Sequence, residues 1–292
     1  LLLEQTFTDS ANGITITTLE ANENYLIVNI SGDIKCAPTD TFNPTENHCE
    51  SNLNSLPEDS TFQKSMLTNN FNDLRNSPTS NLVSKMSTSL NAESRIFSSS
   101  AISSELYRSL LSFDTKLIPK NALIQSSTLS IKPTFHYYYS TESNNFITLV
   151  EANPSNPQSL TNSDFNKFNS EIIDSTDRIL LDGYIGQFLD LPFNDFGLTK
   201  INKIGFTNIG LITGRDLLGG TQSDNREDIM FSFTSSNYPQ TSFHPNLKVV
   251  YTLSPGCGNG VLETPEECDD SGVNANFDQC NESCALTYCG DS

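Results

Sequence analysis

The sequence predicts an all-β protein: a jelly-roll β-sandwich with an N-terminal β-hairpin before it and a C-terminal disulfide-rich repeat after it. Three observations carry this expectation. Apolar and polar residues alternate with a period of two in many short runs, such as Ile14-Thr15-Ile16-Thr17, and turn residues punctuate them. Helical periodicity is poor throughout. Five of the seven cysteines, Cys257, Cys268, Cys280, Cys284 and Cys289, crowd into the last stretch among acidic residues, which cannot form an ordinary apolar core.

Residues 1–35 read as the hairpin. Asn12-Gly13 is a turn signal before Ile14–Thr17, and Glu20–Asn24 is a polar turn before the run from Tyr25 to Ile30. A lone hairpin is marginal in water. It is therefore expected to be a remnant of, or connector to, a preceding β-domain, and either to pack within its own chain or to join a neighbouring copy by strand addition. Phe7-Thr8-Asp9 with Asn12-Gly13-Ile14-Thr15-Ile16 is similar to segments of β-domains attached to secreted metalloproteases.

Residues 36–254 read as the sandwich. Cys36 and Cys49 are expected to close the loop CAPTDTFNPTENHC as a disulfide; a metal pair lacks ligands, since His48 alone does not complete a set. Residues 36–105 are polar and predict short edge strands and long loops. Clearer strands follow at 106–113 and 122–131, with a turn around Pro119–Asn121, and at 134–139, 146–151, 179–189, 201–213, 228–234 and 246–253. Phe113-Asp114, Pro119, Leu129, Ile201-Asn202, Gly205-Phe206-Thr207, Asp216, Pro245, Leu247, Val249 and Tyr251 are landmarks that resemble DNRLRE-type β-sandwich domains over roughly 80–253. Those domains occur in large secreted and surface proteins and are similar to carbohydrate-binding modules. The closing strand runs into Ser254-Pro255-Gly256, the expected domain boundary.

Residues 255–292 form the tail. Cys257-Gly258-Asn259-Gly260, Glu263, Glu266-Glu267-Cys268-Asp269-Asp270, Cys280 and Cys284 resemble a cysteine-rich repeat of secreted and surface proteins. Ser271-Gly272 departs from the Gly-Asn usual there. The resemblance implies an extracellular module and not catalysis. Cys289-Gly290-Asp291-Ser292 starts a second copy, so the chain is expected to be part of a longer one. The tail cysteines are expected to pair among themselves, with Cys289 left for a partner beyond residue 292.

Calcium is the expected cofactor. Hard cations take carboxylate and amide oxygens from turn-rich loops. Asn274, Asn276 and Asp278 place such oxygens at alternate positions, with Asp269 and Asp270 before them and Glu263 and Glu267 able to close the shell. The competing reading is a disulfide-held acidic loop with no ion. Asp224–Asp228 reads as a solvated connection. Asn29-Ile30-Ser31 and Asn281-Glu282-Ser283 are N-glycosylation sequons at Asn29 and Asn281.

The formal charge of −19 excludes a phosphate-tracking surface, so nucleic acid and anionic membrane are not expected partners. No apolar run approaches the ~20 residues of a membrane span. No HExxH, GxSxG, P-loop or GxGxxG occurs, and His48, His136 and His244 stand in no ligand or triad spacing. Phe135-His136-Tyr137-Tyr138-Tyr139 offers two readings: a sugar-contacting aromatic face, or ordinary alternation between core and surface, which strand geometry favours. The expected function is non-enzymatic: a structural or adhesive module of a large extracellular surface protein, such as a stalk, fibre or filament subunit. Its expected partners are neighbouring copies, further domains of the same protein, and glycans. The alternatives are a carbohydrate-binding accessory module of a secreted hydrolase or metalloprotease, which would show an aromatic platform or calcium-rimmed groove, and a glycosidase or lyase, which would show a cleft with converging carboxylates.

Overall fold

A computed structural model describes residues 6–9, 14–21, 26–32, 36–43, 48–68, 70–97, 103–139, 144–176, 180–181, 183–219 and 227–253. The protein is an all-β sandwich with two antiparallel sheets. The chain divides into two compact units, residues 1–50 with 119–123 and 251–292, and residues 51–118 with 124–250.

In the first unit, β1 (Thr6–Asp9), β2 (Ile14–Ala21) and β3 (Leu26–Gly32) form an antiparallel meander with β2 in the centre. The expected hairpin is present as β2–β3, with a register shift between Thr18 and Glu20, and Thr6–Asp9 adds a third strand against Ile14–Thr17. β4 (Thr41–Asn43) pairs with the first residues of β5 (His48–Asn54), Phe42 opposite Cys49. Cys36 and Cys49 are joined by a disulfide, and the Cys49 side is fully buried. The Tyr251 hydroxyl accepts from the Ala37 N–H at 3.0 Å and donates to Asp40 Oδ2 at 2.7 Å. That fixes the loop that the disulfide closes.

The second unit carries β6 (Ser60–Leu67), α1 (Phe71–Arg75), β7 (Leu82–Lys85), β8 (Ser89–Phe97), β9 (Ser103–Asp114), β10 (Ala122–Ile131), β11 (Pro133–Tyr139), β12 (Ile147–Ala152), β13 (Phe168–Ile172), β14 (Leu189–Pro192), α2 (Asp195–Leu198), β15 (Phe206–Thr213), α3 (Gly214–Leu218), β16 (Glu227–Thr234) and β17 (Asn246–Leu253). One sheet runs β11-β16-β8-β9-β15-β12-β13, with β6 on β9 and β7 on β6. The other runs β14-β10-β17-β5. β9 is the hub: β6 pairs along Ser103–Leu110, β8 along Ser103–Tyr107, and β15 along Ser109–Asp114. Among the described residues no helix is long and apolar enough to cross a membrane.

Period-two stripes supply the core. Leu129 and Ile131 on β10, Leu247 and Val249 on β17, and Ile229, Phe231 and Phe233 on β16 are buried. A second cluster, Phe62, Phe71, Leu74, Ile96, Leu106, Leu110, Ala152, Leu160 and Phe165, seats α1 against β6 and β9. Each such buried side chain contributes about 2 kcal/mol. α1 starts at Asn70, whose side chain accepts from the Asn72 N–H at 3.1 Å.

Three strand expectations are corrected. In the polar stretch 36–105, β4 and β7 are short edge strands as expected, but β6 and β8 are not: both pair with the central β9. Their hydroxyls are satisfied inside, which hides the apolar period. Thr61 Oγ1 and Ser109 Oγ are hydrogen-bonded at 2.8 Å, and the Asn91 N–H donates to Ser109 Oγ at 2.9 Å. The expected strand 179–189 is replaced by a turn over 183–186, and only Leu189–Pro192 pairs. Gly183 and Gly186 sit at φ +88° and +80°, which a strand excludes. The strand expected from 201 begins at Phe206, because the Ile204 N–H is held by Asn202 Oδ1 at 3.0 Å in an Asx turn.

Candidate functional site

β11 is the last strand of its sheet. Past Pro133 none of its residues is fully buried: His136 is half-buried, and Phe135, Tyr137, Tyr138 and Tyr139 are 39–59% exposed. Ordinary alternation between core and surface is therefore overturned for this run. The cause is position: β11 pairs only with β16 in the sheet order, and Ile229 and Phe231 of β16 already fill the interior. A register shift between Pro133 and Phe135 resets the alternation, so Phe135, Tyr137 and Tyr139 stand opposite Ser232, Met230 and Asp228. His136 stacks on Tyr138 on the other side of the strand, at 5.8 Å.

Residues directly opposite on antiparallel strands share a face. The registers therefore extend the aromatic side into a row across six strands: Tyr137, Met230, Glu93, Tyr107, Gln63 and Leu82. Five inter-strand steps make this row about 24 Å wide. A parallel row holds Tyr139, Asp228, Arg95, Glu105 and Ser65. At the β7 end the face dips into a hollow of about 80 Å³, walled by Gln63, Leu82, Asn91 and Tyr107 among others.

Charge is concentrated in the middle. Arg95 Nε donates to Asp228 Oδ1 at 3.0 Å, and its guanidinium lies 3.8 Å from Glu105 Oε2. The Tyr107 hydroxyl donates to Glu105 Oε2 at 3.4 Å. Glu93 is 6% exposed. Burial pushes its carboxyl up to about 7; Arg95 opposes the rise, and Asp228 and Glu105 add to it. The Tyr107 phenol is pushed up to about 12, first by burial and then by Glu105 and Glu93. Near neutrality Glu93 can thus donate or accept a hydrogen bond, beside fixed donors on Arg95 and fixed acceptors on Asp228 and Glu105. Exposed aromatic faces next to such groups suit a ligand with both apolar and hydroxyl surface.

Of the residues expected from sequence, Cys36 and Cys49 are brought together. The calcium candidates Glu263, Glu267, Asp269, Asp270, Asn274, Asn276 and Asp278 lie outside the described residues, as do Cys257, Cys268, Cys280, Cys284, Cys289 and Asn281. Asn29 lies on β3. The end of the acidic segment Asp224–Asp228 is no solvated loop, because Asp228 sits on β16 bound to Arg95. His48 Nε2 pairs with Glu50 Oε1 at 3.0 Å, and His244 Nε2 with the Tyr238 carbonyl at 2.8 Å. Among the described residues no group of three or more His, Cys, Asp and Glu side chains could hold a metal ion. Sequence reading missed Glu93, Arg95, Glu105 and Tyr107. The available signal was charged or aromatic residues two apart, Glu93/Arg95 and Glu105/Tyr107, on neighbouring strands. No protein-family model matches the chain, and no curated protein matches it.

Proposed function

We propose that this chain is a non-enzymatic adhesive module of an extracellular surface protein, and that its sandwich docks on carbohydrate through the β11 face. The exposed aromatic row Phe135, Tyr137 and Tyr139 carries the reading. A sugar ring presents an apolar C–H face and a rim of hydroxyls. The aromatic rings suit the first, and Ser232 and Arg95 suit the second. The resemblance to DNRLRE-type sandwiches and to the cysteine-rich surface repeat supports the extracellular setting, with the tail as a calcium-bound, disulfide-held spacer. Affinity electrophoresis of the chain through gels containing polysaccharides tests the reading. At least one neutral polysaccharide should retard the protein, and Tyr137→Ala should abolish the retardation without lowering the thermal midpoint. Equal retardation of protein and variant would overturn it.

A second reading rests on β11 being the edge of its sheet. A strand that ends a sheet can be extended by a strand of a second copy, which would make the chain a filament subunit. Concentration-dependent oligomers lost on replacing Tyr137 by Pro, with no polysaccharide retardation, would favour this reading.

A further inference from the structure

Three of the six arginines, Arg75, Arg108 and Arg215, fall on α1, β9 and α3 of the second unit. Arg108 makes four hydrogen bonds with its five N–H donors. Its Nε and Nη2 bind Asp216 Oδ2 and Oδ1, both at 2.7 Å. Its Nη1 donates to the Phe165 carbonyl at 2.7 Å and its Nη2 to the Arg75 carbonyl at 2.9 Å, and its guanidinium lies 4.4 Å over the Phe165 ring. Arg75 is different. Its Nε is 3.8 Å from the same Asp216 carboxylate, and its Nη2 donates to the Leu217 carbonyl at 2.8 Å. Its side chain is 25% exposed and lines an open cavity of about 380 Å³. A guanidinium has five N–H donors, so Arg75 brings further donors to that wall.

Two guanidinium groups thus share one carboxylate there, leaving one positive charge at a cavity of a chain whose formal charge is −19. Asn76, Asn166 and Ser170 bring amide and hydroxyl groups to the same cavity, and Phe168 brings an aromatic ring. A planar fork with one surplus charge matches a carboxylate. Amides and a hydroxyl match sugar hydroxyls, and a phenyl ring matches a sugar's C–H face. We propose that this cavity binds a carboxylated sugar, with the carboxylate on Arg75 and the ring against Phe168. The site is separate from the β11 face and does not depend on the reading given to that face.

The test is calorimetric titration of the whole chain with glucuronate, glucose and acetate. Saturable binding of glucuronate at millimolar concentration is expected, with glucose and acetate each weaker by about tenfold or more. Arg75→Ala should weaken glucuronate by about tenfold or more. Ser170→Ala, at an exposed position on β13, should weaken it measurably with an unchanged thermal midpoint. Tyr137→Ala should leave it unchanged. No saturable glucuronate binding, equal affinity for glucose, or full affinity in both Arg75→Ala and Ser170→Ala would each overturn the proposal. Acetate binding as tightly as glucuronate would also overturn it, since the site would then take any carboxylate, a peptide's included.

Discussion

Replacing Glu93 with Gln should stabilise the sandwich at pH 8 and leave it unchanged at pH 4. In the folded chain the carboxyl titrates at about 7 instead of 4.5, chiefly because it is buried. Between those values the folded state binds a proton that the unfolded state has released, so stability falls as pH rises through the window and levels off above 7. One pH unit of displacement corresponds to about 1.4 kcal/mol, which puts the cost of the ionised group at about 3 kcal/mol at pH 8. Gln keeps the size and removes the charge. The assay is urea unfolding of both proteins at the two pH values, followed by tyrosine fluorescence, since the chain has no tryptophan. Asp59 acts with the same sign. It is 1% exposed, and burial pushes it from 3.8 up to about 7 against the hydrogen bond donated by the Ser236 N–H, so the Glu93→Gln variant should still lose stability above pH 4. Equal stabilisation by Glu93→Gln at pH 4 and pH 8 would refute the burial argument.

Further outcomes follow from packing and covalent structure. Gly210→Ala should destabilise by about 1–3 kcal/mol, because the added Cβ would lie 2.5 Å from the Phe168 ring and 2.9 Å from Val150; thermal unfolding checks this. Reducing the Cys36–Cys49 bond, whose partners lie 13 residues apart, should lower stability by about 3 kcal/mol, read as a shift of the unfolding midpoint with reductant. If the tail holds calcium, chelator should lower the midpoint of the parent and not of a chain carrying Glu267→Gln and Asp269→Asn.

Regular strands with an apolar period were the most legible part of the sequence. The strands read at 122–131 and 246–253 have those bounds in the structure. Legibility failed where the physics is non-local. In β6 and β8 the buried positions include Thr61 and Ser94, whose hydroxyls are paired with Ser109 and Thr213, residues 48 and 119 positions away. No local window contains those partners. Residues 179–189 are apolar enough for a strand, but two glycines in left-handed conformations turn the chain instead. The aromatic run on β11 was visible, whereas its exposure depends on β11 ending the sheet. The row from Tyr137 to Leu82 draws on six strands, so it emerges only from their registers.

The most direct test of carbohydrate docking without turnover is NMR mapping with a retarding oligosaccharide, followed by mass analysis of the recovered sugar. Shifts centred on Phe135, Tyr137, Tyr139, Met230 and Tyr107 are expected, with the oligosaccharide recovered intact. Shifts confined to other surfaces, or a cleaved sugar, would contradict it.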